Sequence, residues 1–189
     1  LNGGDGADSL TGGSGDDTYV FNTNDVDAGE SITEASSGGT DIISVVTTTD
    51  FANMSANSFD EIEQILFSGA NRTATFTSLQ LTGEAIALNE TAAGTSNIVV
   101  EVGSGETASF STITAGTFAS GSDTFTINGS TGNETITGPN VASTISGNNG
   151  NDNLTGGTTN DILNGGDGAD TLNGGDGADS LTGGSGDDT

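Results

Sequence analysis

The chain has 189 residues, 27 of them acidic against a single basic one, Arg72, with no histidine, cysteine or tryptophan and a formal charge of -26. This charge leaves no basic footprint for nucleic acid or an anionic membrane surface, and the missing cysteine excludes a disulfide framework and a thiolate site. Self-repulsion on this scale opposes a compact state, so the composition predicts either disorder or a fold in which cations are structural.

Residues Leu1 to Thr18 read LNGGDGADSLTGGSGDDT, and Leu172 to Thr189 repeat the same letters 171 positions later. Each copy holds nine-residue units: GGDGADSLT from Gly3 and GGSGDDTYV from Gly12, with Leu10 and Tyr19 at the eighth position. Beyond Val20 the nine-residue beat stops. Strands are predicted at DIISVVT, EIEQILF, TATFT, EAIAL, NIVVEV, TASFSTI and DTFTIN, joined by Gly, Ser, Thr and Asn, and DFANMSANSF reads as a short helical turn or Ω-loop. The β-branched content makes this middle region all-β. Either an antiparallel sandwich or continued solenoid coils would satisfy it, and the solenoid is preferred because both ends of the region join repeats that must be stacked or capped.

From Gly129 the beat returns: GSTGNETIT, GPNVASTIS, GNNGNDNLT, GGTTNDILN, GGDGADTLN, GGDGADSLT, GGSGDDT. The eighth position is always apolar: Ile136, Ile145, Leu154, Leu163, Leu172 and Leu181. A unit of turn-forming residues around one apolar side chain reads as a turn plus a very short strand, which cannot bury its apolar face alone. Two units make one coil of two opposed strands, so unit i stacks over unit i+2, Leu154 over Leu172 and Leu163 over Leu181. The aspartates at position six then form two columns, Asp152, Asp170, Asp188 and Asp161, Asp179, with Asp8 and Asp17 as their counterparts near the front. Carboxylates beside glycine-rich turns that expose carbonyls are an all-oxygen donor set, the set a hard cation such as Ca²⁺ requires.

These units resemble the RTX (repeats-in-toxin) family, whose GGxGxDxUx nonapeptides form calcium-bound, right-handed parallel β-rolls. The resemblance implies several Ca²⁺ ions, each held by two stacked turns. One would lie between Gly165, Asp167, Asp170 and Gly184, Gly186, Asp188. A second would lie between Gly156, Thr158, Asp161 and Gly175, Gly177, Asp179, and a third between Gly147, Asn149, Asp152 and Gly166, Gly168, Asp170, the non-aspartate positions and Asp167 acting through backbone carbonyls. The stretch NTNDVDAGESITEASSGGTDIISVV resembles the segment that often follows the last unit, and Asp25, Glu34 and Asp41 in it are further candidate ligands, with a solvated acidic turn as the alternative. The units at Gly129 and Gly138 carry Glu134 and Ser143 at position six, and Thr159 replaces a glycine at position four. The ion column is therefore expected to start near Gly147.

Enzyme chemistry finds no support: there is no histidine base, no GxSxG and no HExxH, and Glu61 and Glu63 read better as one face of a strand than as a glycosidase pair. Threonines do not recur at one fixed position, which argues against a flat ice-binding ladder. The expected organisation is a β-roll over 1–20 ending a preceding module, a β-rich region over 21–128 and a β-roll over 129–189, in a tandem array of period 171. The function read from this is a structural calcium-binding module of a giant secreted bacterial protein that self-associates in a filament, surface layer or matrix. An adhesin binding a glycan or cell surface, and a spacer of a secreted toxin or enzyme, are the alternatives. The resemblance further implies type I secretion to the outside or the cell surface, without membrane insertion.

Overall fold

The computed structural model describes residues 1–36, 38–118 and 122–189, and its described strands all pair in parallel. The chain winds as a solenoid with up to three faces. The first carries β2 (Thr18–Phe21), β4 (Ile42–Val45), β6 (Gln64–Phe67), β8 (Ala87–Glu90) and β11 (Thr114–Ala115). The second carries β5 (Thr49–Asp50), β7 (Thr73–Thr77), β9 (Asn97–Glu101), β12 (Thr124–Asn128), β14 (Ser143–Asn149), β16 (Ile162–Asp167) and β18 (Ser180–Ser185).

On the third face β1 (Ser9–Thr11) pairs with β3 (Ser31–Thr33), which packs on a 3₁₀ turn (Ala56–Phe59) and, through it, on α1 (Ser78–Leu81). A backbone bond from Gly83 N–H to Ser109 O then hands the face to β10 (Thr107–Ser109), followed by β13 (Thr135–Thr137), β15 (Asn153–Gly157) and β17 (Thr171–Gly175). The parallel winding settles the middle region as solenoid, and a sandwich is excluded. The 3₁₀ turn falls within the stretch read as helical. β5, β11 and α1 are short elements that the sequence reading did not anticipate.

Strand alternation sends one set of side chains inward on every coil, and stacking aligns them. Tyr19, Ile43, Ile65 and Leu88 stand in register on the first face. Phe76, Val100, Ile127, Ile145 and Leu163 do so on the second, and Ala108, Ile136 and Leu154 on the third, every one of these residues at 0–1% exposure. Leu154 lies over Leu172 and Leu163 over Leu181, as the nine-residue spacing requires. In the three-sided coils a cluster of rings fills the interior: Phe51 stacks on Phe76 at 4.9 Å and meets Phe21 and Phe59 edge-on at 5.1 and 5.9 Å. Gln80 ties α1 to this cluster, its side-chain amide donating to Phe51 O at 2.8 Å and Met54 O at 3.0 Å.

The first face closes as the nonapeptides begin. Thr114 bridges to Asn140, and beyond that only the second and third faces carry strands among the described residues. The middle region is thus a three-sided solenoid that narrows into a two-sided roll. Glu61 and Glu63 do not share a strand face as expected: Glu61 turns through φ +63 and the strand starts at Gln64.

Candidate metal centre

Each turn of the roll holds its aspartate in one way. Asp152 N–H donates to Asp170 Oδ1 at 2.8 Å and Asp170 N–H to Asp188 Oδ1 at 3.0 Å. On the opposite side Ser143 N–H donates to Asp161 Oδ1 at 2.8 Å and Asp161 N–H to Asp179 Oδ1 at 2.9 Å. One oxygen of each carboxylate is thereby fixed by the preceding coil. The other, Oδ2 of Asp152, Asp161 and Asp170, is buried with no hydrogen-bond partner, although these residues are only 1–2% exposed. A buried carboxylate oxygen without a donor costs several kcal/mol of lost solvation unless a cation replaces the water, at about the price of a buried unpaired charge.

The orphaned oxygens face the backbone of their own turn. A Cβ on Gly165 would clash with Asp170 Oδ2 and lie 2.6 Å from Gly183 O, and one on Gly147 would clash with Asp152 Oδ2 and lie 2.7 Å from Gly165 O. Position one is therefore an open cradle of carboxylate and carbonyl oxygen between stacked turns. Gly166 and Gly168, at φ +113 and +142, make the left-handed bends that shape it, and Asn148, at φ +75, supplies the same bend one coil earlier. The unit at Gly156 turns differently, since neither Gly157 nor Thr159 has positive φ. Like charges one coil apart, about 4.8 Å, repel by roughly 3 kcal/mol at an effective dielectric of 20. Burial, with Glu134 and Asp170 beside it, raises the Asp152 carboxyl above its ordinary range, and burial with Asp179 does the same for Asp161. This donor set fits Ca²⁺, which would supply the missing coordination and cancel the repulsion.

At the upper end of one column Glu134 behaves otherwise. Burial, the largest single influence, would raise it, but donors from Gly105 N–H at 2.8 Å and from Ser130 N–H and Oγ at 3.0 Å together outweigh burial and hold the carboxyl below its usual range. Its longer arm brings both oxygens to protein donors, where Oδ2 of Asp152 and Asp170 below it meets none.

Near the front of the chain the structure brings Asp17, Glu34 and Asp41 together, one oxygen of each lying within 4.8 Å of the others. Asp17 N–H donates to Asp41 Oδ1 at 2.8 Å and Gly13 N–H to Glu34 Oε2 at 3.0 Å, while the Tyr19 hydroxyl donates to Glu34. Burial first, and Glu34 second, push the Tyr19 phenol well up. Gly12 sits under the cluster, where a Cβ would lie 2.6 Å from Asp17 Oδ2. Asp25 stands apart. Asn2 and Asn22 donate to it at 2.8–3.0 Å, and these bonds overcome burial to lower its carboxyl, so it caps a turn instead of joining the cluster.

Sequence reading missed five participants, two glutamates and three asparagines. Glu63 accepts from Asp41 N–H at 2.7 Å, extending the column of Asp17 and Asp41 by another coil. Glu30 accepts from Asp8 N–H at 3.0 Å. Asn133, Asn151 and Asn160, at position five, accept the N–H of the residue one coil below at 2.8–2.9 Å. The recurrence of Asn at that position was the available signal for the asparagines.

The family model of the RTX calcium-binding nonapeptide repeat matches the chain in four copies, over residues 1–23, 128–163, 142–172 and 155–189. No curated protein and no solved structure matches. The matched residues are those that build the two aspartate columns and the front coil, and the three-sided middle lies outside them.

Proposed function

Since this chain is an RTX calcium-binding β-roll repeat protein, we propose that it is a load-bearing module of an extracellular filament, surface layer or matrix, stacked coil on coil with further copies of itself. The observation that supports this reading is the shared coil. Residues 1–18 and 172–189 are identical, and the glycines with positive φ correspond: Gly4, Gly6, Gly13, Gly15 in one and Gly175, Gly177, Gly184, Gly186 in the other. The first copy has a partner on its forward side, with Leu10 against Ile32, and Leu10 is 9% exposed. The second has a partner on its rear side, with Leu163 against Leu181, and Leu181 is 46% exposed.

One coil serving both roles joins the columns without a break. Asp161 then leads to Asp179, equivalent to Asp8, and on to Glu30. Asp170 leads to Asp188, equivalent to Asp17, and on to Asp41 and Glu63. Ions are held at Asp8, Asp17, Asp152, Asp161, Asp170, Asp179 and Asp188, with Glu34 and Asp41 completing the front site. Folding waits on calcium, which suits a chain exported unfolded and folded outside, where calcium is abundant. All eight phenylalanines are at most 5% exposed, which leaves no aromatic platform for a sugar and favours the structural reading.

The test is circular dichroism in calcium and in excess chelator. Chelation should remove most of the β signal, and a spectrum that does not change would sink the calcium-dependent fold. The adhesin reading draws on one feature, an acidic groove of Asp60, Glu61, Glu63 and Glu84 in the middle region. Calcium-dependent glycan capture lost in Glu61→Gln would favour it, and no capture by the wild type removes it.

A further inference from the structure

The bonding pattern that marks the roll recurs where the nonapeptide has ended. In the roll, an aspartate N–H donates to one oxygen of the carboxylate on the next coil, and the remaining oxygens of Asp152, Asp161 and Asp170 are left buried without donors. Asp8 and Glu30 repeat this. Asp8 N–H donates to Glu30 Oε2 at 3.0 Å, and both Asp8 Oδ2 and Glu30 Oε1 are buried with no hydrogen-bond partner. Glu30 is 1% exposed, so water does not solvate its carboxylate in place of a donor. The carboxylate side of the cradle is also the same: a Cβ on Gly3 would lie 2.5 Å from Asp8 Oδ2, as Gly165 stands to Asp170.

Neighbouring acids have other duties. Asp25 is held by Asn2 and Asn22, and Asp27 Oδ2 accepts from Gly6 N–H at 3.0 Å. Spacing had concealed the pair, because Glu30 follows Asp8 by 22 residues where the roll uses 18. Glutamate's extra methylene and the longer loop between them bring a carboxylate to the level an aspartate occupies in a regular unit.

We propose that Asp8 Oδ2 and Glu30 Oε1, with carbonyls of the turn beginning at Gly3, hold a further calcium ion between the front nonapeptide and an acid that lies outside the repeat. In the array it lies at the seam, where the shared coil passes from roll to three-sided solenoid. This rests on the reading of the roll as calcium-bound. It adds that the first coil of the middle region is clamped to the roll by metal as well as by β1 and β3.

Calcium binding to the full chain, counted by equilibrium dialysis and titration calorimetry, tests it. Glu30→Gln should bind one ion fewer than the wild type, or bind it at least tenfold more weakly, while Asp27→Asn should bind the full number. Equal stoichiometry and affinity in Glu30→Gln and wild type overturns the site and leaves the roll intact. A wild type that binds no calcium overturns the parent reading as well. If Glu30→Gln does not fold, crystals of the wild type grown in calcium decide. An anomalous peak between Asp8 and Glu30 supports the site, and peaks along Asp152–Asp188 with none between Asp8 and Glu30 refute it.

Discussion

At the scale of single residues, the position-six aspartate has two oxygens with opposite tasks: Oδ1 fastens the coil above, and Oδ2 is left for a cation. This division sets the sign of the pH dependence. Asp152 and Asp161 have raised carboxyl pKa values in the metal-free fold, so that state binds protons more readily than the unfolded chain. Their contribution is whole below the ordinary value of 3.8 and is lost as pH rises through the shifted one. Glu30, raised chiefly by burial with Asp8 adding to it, acts in the same direction. Glu134 and Asp25 are lowered on balance, so their contributions persist down to the ordinary carboxylate range and fail only beneath it. As pH falls from neutrality toward the ordinary carboxylate range the raised groups therefore govern. Residual structure in chelator should become more heat-resistant on acidification across that window. The calcium-bound protein should become less so, because protons displace ions. Thermal melts followed by circular dichroism check both, and parallel falls in the two conditions would count against carboxylate columns as the metal site.

Among the elements, β2 and β4 carry the passage from repeat to non-repeat, and between them they present Asp17, Tyr19 and Asp41 to the loop that holds Glu34. Tyr19 is the only tyrosine and there is no tryptophan, so its excitation reports on one site. Terbium substituted for calcium should luminesce on tyrosine excitation, and Asp41→Asn should remove most of that signal while Asp170→Asn preserves it. Equal signals from the two variants would separate Tyr19 from the metal. The roll elements were legible because a fixed spacing and an apolar eighth position leave one stacking register. Glu34 and Asp41 were legible by resemblance, whereas Glu30 and Glu63 were not, for a physical reason. Coil length in the middle varies, from 22 residues between Ile42 and Gln64 to 28 between Thr107 and Thr135, so no clock marks which acid lies over which. β-branched runs still announce strands there. A four-residue helix such as α1 is shorter than any window in which a 3.6-residue period can register.

The whole molecule behaves as a stack in which each coil touches only its neighbours, so stability is a sum of coil and interface terms. In such a stack a seam weaker than the rest would act as a hinge, and the two aspartate columns bear on whether one exists. If the coil of residues 172–189 is also residues 1–18 of the next copy, the backbone ladders and both carboxylate columns cross the seam at normal spacing. The eight layers of the third face, from β1 to β17, then advance the rod by about 35–40 Å per copy at about 4.8 Å per layer. A protein of two copies sharing that coil should lengthen by this amount in small-angle scattering, stay straight, and unfold in calcium as one transition steeper than that of a single copy. The steepening follows because each added interface couples its neighbours more tightly than the ends, which fray. Two separate transitions, or a scattering profile of two beads on a flexible tether, would show that the seam is a hinge. The modules would then be beads joined by the repeat, and load would pass through a compliant link instead of a continuous metal-clamped ladder.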